Sequence, residues 1–239
     1  MKRLLIVLFA LLAAAPVRAE EPAAEETSPW SVILTAGYDS RYMLYGYRLN
    51  RHLLGGDVYA AYALDENTTL WGGSWFGIIP DGTYRELDGY VGIDQVLGAG
   101  FTVGAAVSAF YYIDGPFTER DVVYELATHI TYTKGPFSLA LRDHVDSLAD
   151  GHLLRSIATY TQAVNDRFSL KATAEFGYAF EYYIEGNRAN HAIFTLEAPT
   201  TLSPTVWITP FITRSVPLDA IDAFEEDDTI VGGSISWML

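Results

Sequence analysis

The stretch RDHVDSLADGH sets His144 between Arg142 and Asp146 and three residues before Ser147, the nearest local candidate for nucleophilic catalysis. A lipid hydrolase built into a membrane wall would need its histidine and serine on one side of a strand. A spacing of three sends them to opposite faces, and the side shared by His144, Arg142 and Asp146 holds no activated nucleophile. No catalytic residue is therefore assigned, and the expected protein is not an enzyme.

Metal chemistry has two candidates. Glu125 and His129 share a strand face but stand about 13 Å apart, so a third ligand would have to come from a neighbouring strand. The run DAIDAFEEDD carries Asp219, Asp222, Glu225, Glu226, Asp227 and Asp228, yet lacks the glycine and the ligand spacing of a calcium loop. It is expected to be a solvated acidic outer loop, able to meet lipopolysaccharide through divalent ions. No metal site and no cofactor is assigned.

The elements that carry these residues are strands. Apolar side chains recur at every second position in FTVGAAVSAF, VVYELATHITYT, FSLALRDHV and TIVGGSISWML, and turn formers such as DEN, PDG, LGAG, KGP and EGN separate the runs. Counting runs predicts about twelve strands, mostly about ten to thirteen residues long, enough to cross a tilted outer-membrane wall and too long for a sandwich. An even count returns both ends of the chain to one side, where the short turns belong, with the longer connections on the other. The fold class is an all-β, transmembrane, antiparallel up-and-down β-barrel over residues 30–239, with the stretch YMLYGYRLNRHL as its first outer loop.

In such a barrel the polar set faces inward. The inward set contains Asp39, Asp57, Glu86, Asp88, Asp94, Glu125, Asp146, Glu175, Glu181 and Glu197 against Arg41, Arg142 and Lys171, with His129 and His144 as polar wall residues. Carboxylates without partners would be costly in a dry core and are cheap in a wet lumen, where they favour cations. Tyr42, Tyr45 and Tyr47 are expected at the interfacial girdle and the loop base, with Arg41 turned to the lumen.

Residues 1–19, MKR followed by LLIVLFALLAAA and a small-residue site at Ala19, read as a Sec signal peptide, and 20–29 as an acidic linker. The chain has 30 acidic residues, 15 Lys and Arg and no cysteine, which excludes phosphate-neutralising nucleic-acid binding, a disulfide framework and thiolate metal sites. The terminal VGGSISWML places Trp237 and Leu239 where the barrel assembly machinery reads its signal, although the usual terminal residue is Phe.

LTAGYDSRYMLYGYRL followed by GGDVYAAYAL resembles the first hairpin of the TorF-type porins, a bacterial family of uncharacterised outer-membrane proteins. Ser40, Tyr42, Tyr45 and Gly46 match in kind, while the arginine expected before the glycine is replaced by Tyr45. The resemblance covers about thirty residues and implies a membrane barrel and a pore. The expected function is passive, cation-preferring diffusion of ions or small solutes through a monomer in the outer membrane of a Gram-negative-type bacterium. The alternatives are a closed barrel acting through its surface loops and, behind it, a lipid hydrolase.

Overall fold

A computed structural model of the protein describes residues 28–114 and 122–239. The signal segment 1–19, most of the 20–29 linker and all of the DGPFTERD connection after Asp114 lie outside the described residues. The strands are β1 (Trp30–Leu44), β2 (Tyr47–Ala63), β3 (Thr68–Ile78), β4 (Arg85–Gly98), β5 (Phe101–Asp114), β6 (Val123–Lys134), β7 (Phe137–Asp146), β8 (His152–Asn165), β9 (Phe168–Phe180), β10 (Asn187–Glu197), β11 (Thr200–Ser203), β12 (Val206–Pro217) and β13 (Asp228–Met238).

Apart from β10 and β11, consecutive strands pair antiparallel, and β1 closes the ring on β13, with Ile33 opposite Met238 and Asp39 opposite Gly232. β10 and β11 are one stave interrupted at Ala198–Pro199: both pair with β9 and β12, and proline has no N–H to give the ladder. The wall is thus a closed barrel of twelve staves, as the strand count predicts. Closure satisfies every backbone edge, the condition for a sheet to live in lipid.

The alternation sorts as expected. On β4 the side chains of Leu87, Val91 and Ile93 point outward and stay exposed, while Glu86 and Asp88 are buried inside. β6 repeats this with Tyr124, Leu126 and Ile130 outside and Glu125 inside. Outward ring pairs Trp30–Tyr62, Phe101–Tyr132 and Phe137–Tyr160 stand near the end with the short turns, an aromatic belt for one interface. At that end the β2–β3 turn is tied by Asp65, which accepts from the Asn67 and Thr68 amides and the Thr68 hydroxyl; these bonds hold its carboxyl below the usual range.

The outward face yields a direct test. Val91 stands mid-strand and about half exposed, at 53%. Val91→Arg is expected to lower stability in phospholipid vesicles by about 2–4 kcal/mol, read by urea titration, whereas Val91→Leu should change little. An arginine tolerated there without loss would mean that this face does not meet lipid.

The first outer loop departs from expectation. No loop runs from 43 to 53: β1 and β2 continue as a ladder to a two-residue turn at Tyr45–Gly46, where both residues have positive φ, 51° and 86°. Those dihedrals suit the primed hairpin turn, which follows the natural strand twist and favours glycine in its second place. A bulge at Tyr42/Met43 and the left-handed conformation of His52 bend the ladder. Above Asp39, β1 has no partner on β13, and above Leu54, β2 has none on β3, so the hairpin leaves the wall there.

Candidate functional site in the barrel lumen

Freed from the wall, the hairpin folds inward across the loop end of the lumen. Tyr42, Tyr45 and Tyr47 are therefore not girdle residues; they enter the interior because their hydroxyls and rings find buried partners there. The Tyr42 hydroxyl donates to Glu86 at 2.8 Å, beside a second donation to Glu86 from Tyr84, and the Tyr42 ring stacks on Trp75. Tyr47 stacks on Phe224 and meets Tyr183 edge-on. Gly46 sits so close to β10 that a Cβ there would stand 2.8 Å from the His191 Cβ, a contact only glycine avoids.

Tyr45 reaches the opposite wall. Its hydroxyl donates to Glu125 Oε2 at 2.8 Å and lies 3.1 Å from His144 Nδ1, and its ring carries the Arg155 guanidinium at 5.0 Å. Arg155 Nη1 stands 3.2 Å from His144 Nε2. A guanidinium can only donate, so Nε2 is the acceptor and the ring proton lies on Nδ1, which donates to Glu125 Oε1 at 3.1 Å. Arg155 also grips Glu175 with two bonds, Nε at 2.7 Å and Nη2 at 2.6 Å. His191 Nε2 completes that carboxylate at 2.8 Å, in space left by the missing side chain of Gly177. One polar chain thus links five staves, β6 to β10, and the hairpin tip.

Below the tip the inward side chains are more accessible. Arg142 is exposed there, Lys171 pairs with Glu197 at 2.7 Å, and Asp94 stands 3.4 Å from His129. The Tyr90 hydroxyl donates to Asp57 at 2.7 Å. A cavity of about 300 Å³ lies beside β13, β1, β2 and β3, with Asp39, Asp57 and Trp75 in its wall. A second, of about 420 Å³, lies at the loop end around Tyr45, Tyr47, Tyr183, Glu125 and Asp146.

The inward set is largely brought together: Glu86, Asp88, Glu125, His144, Asp146 and Glu175 cluster at the loop half, with Asp94, His129, Arg142, Lys171 and Glu197 below. Two members do not join it. Glu181 follows the end of β9, takes a left-handed backbone and is exposed in the β9–β10 connection, because the strand ends one residue too early to carry it inside. Arg41 faces the rim, paired with Asp228 at 2.5 Å, because the hairpin has left the wall at that level.

The acidic run also divides. Asp228 begins β13 and is buried against Arg41, so it is not a solvated loop residue; Asp227 pairs with Arg214 at 2.5 Å on the surface. Asp219, Asp222 and Glu226 stay exposed, and Glu225 is half-buried beside the larger cavity. Among the described residues no cluster of His, Asp and Glu has the arrangement to hold a metal ion. The Ser147 hydroxyl accepts the Tyr124 amide at 3.0 Å, while His144 is taken up by Glu125, Tyr45 and Arg155, so that serine and histidine do not pair.

Sequence reasoning missed Arg155, His191 and Asn190. On β8 the inward neighbours of Arg155 are Leu153 and Ile157, apolar residues that hide the alternation; the signal was an arginine inside an otherwise strand-like apolar run. On β10 a bulge between Ala189 and His191 shifts the parity and buries both Asn190 and His191.

Comparison with protein families finds no match, and no curated protein matches. Among solved structures, an outer-membrane channel from Pseudomonas putida F1 aligns with TM-score 0.57 and 12% identity over 92% of this chain and all of that one. The NanC porin aligns with TM-score 0.54 and 11% identity over 87% of this chain and all of that one. The KdgM porin in complex with disordered oligogalacturonate gives TM-score 0.53 and 8% identity over 87% of this chain and 98% of that one. At such identities the likeness is one of fold: this chain has the fold of an outer-membrane porin-like barrel.

Proposed function

We propose that the protein is a narrow outer-membrane channel for small cations or small solutes, with its loop end constricted by the inward β1–β2 tip. The observation that supports this best is a charged lumen within a closed barrel, where carboxylates outnumber the Lys and Arg side chains. Rings of carboxylates raise the local cation concentration and repel anions. The protein would reach the outer membrane through its Sec signal peptide and the assembly machinery, with Trp237 and Leu239 as terminal signal, and stand there as a monomer among lipid and lipopolysaccharide. A place among the TorF-type porins is proposed on the first hairpin alone.

A second reading has its own observation. The tip sits on the far wall through Tyr45, which would suit a non-conducting barrel acting through its outer loops. Single-channel recording of refolded protein in a salt gradient separates the two. Cation-selective unitary steps of small conductance are expected; anion preference would overturn the lumen-charge argument, and silent bilayers would favour the closed barrel.

A further inference from the structure

We propose that the 420 Å³ cavity at the loop end of the lumen binds a small organic cation, an ammonium group carried on an apolar body. The inference deepens the cation-channel reading and rests on it for the ligand's route through the barrel. A volume of this size lies in the range of small-molecule sites.

Its walls are rings set at different tilts. Tyr47 lies nearly parallel to Phe224, with planes 15° apart, and stands at 80° to Tyr183, which in turn meets Tyr182 at 76°. Rings angled in this way can present more than one negative face to a charge in the cavity. The Tyr47 hydroxyl is buried beside the side chain of Asn190.

The floor supplies charge. Glu125 and Asp146 are register partners on β6 and β7, both buried, and neither forms an ion pair with Lys or Arg among the described residues. Their hydrogen bonds come from neutral or shared donors: Tyr45 and His144 for Glu125, and the Leu148 and Ala149 amides with the Tyr183 hydroxyl for Asp146. Arg48 is the single Lys or Arg lining the cavity among the described residues, and it leans toward Asp228 at 3.8 Å.

This combination selects among ligand classes. The carboxylates supply a field while much of their acceptor capacity is already engaged, so they offer less to a polyol that needs acceptors or to a metal ion that needs oxygen ligands. Anions are repelled. An ammonium with methyl or methylene substituents needs no hydrogen bond and gains from both the field and the ring faces.

Isothermal titration of the folded full-length barrel in detergent tests the proposal with benzyltrimethylammonium as probe, against benzenesulfonate and benzyl alcohol. Saturable binding of the cation is expected, with both controls at least about tenfold weaker. Tyr47→Leu should weaken it about three- to tenfold, by loss of one cation–π face. Asp146→Asn, which keeps an acceptor for the loop amides, should weaken it about tenfold. Heat-modifiable gel mobility verifies that each variant is folded. Equal binding of benzyl alcohol, no saturable binding, or folded variants that bind like the parent would each overturn the site. Failure here beside intact cation-selective currents refutes the site alone, and intact binding beside anion-selective currents refutes the channel reading alone.

Discussion

Tyr45→Ala is expected to raise the unitary conductance of the barrel and lengthen its open state. Among the contacts that hold the tip in the lumen, Tyr45 joins it to the opposite wall: a hydroxyl bond to the buried carboxylate of Glu125 and a ring under Arg155. A hydrogen bond to a charged group contributes about 1.5–3 kcal/mol and a cation–π contact about 0.5–2 kcal/mol, so their joint loss is about 3 kcal/mol. That shifts the docked-to-undocked balance about 100-fold, enough to bring an undocked state of about 1% to near half the population.

An independent route to the same state is Gly46→Ala, which leaves every tip hydrogen bond in place. The new Cβ would meet His191 and would also have to sit at φ 86°, where side chains are strained. Both variants should therefore show the same enlarged conductance in planar bilayers. If both fold and record like the parent, the tip is not what limits the current, and the constriction lies lower in the lumen.

The barrel was readable from sequence because its signal is repeated along every stave: a two-residue period, turn formers between runs and charge on the inward parity. Val91, Leu126 and Phe176 on one side and Glu86, Glu125 and Glu175 on the other each sit where a rule of alternation puts them. The tip was not readable, since the same tyrosines suit an interfacial girdle and a buried plug equally well. What decides between them is a bulge, a left-handed His52 and the level at which flanking strands stop pairing, and none of these has a mark in composition or period. His191 hid for a related reason, because one bulge reverses the parity on which inward and outward are judged.

Arg155, hidden among apolar neighbours on β8, is the residue on which the lumen network depends most. It is the one arginine or lysine at the centre of the polar chain, bonded to Glu175 twice, to His144 once and stacked on Tyr45. Arg155→Met removes the charge and keeps much of the side-chain volume, so the cost comes from the carboxylate left behind. Breaking a buried pair in this way costs about 3–5 kcal/mol, because Glu175 must then be desolvated with His191 as its remaining partner. The variant should unfold in vesicles at distinctly lower urea concentration than the parent. Glu175→Gln in the same chain should restore a large part of the loss, since it removes the orphaned charge rather than replacing the lost bonds. The two substitutions measured singly and together give the coupling directly. If the double variant were as unstable as the sum of the two singles, Arg155 and Glu175 would act independently, and the polar chain across the lumen would not be a connected network.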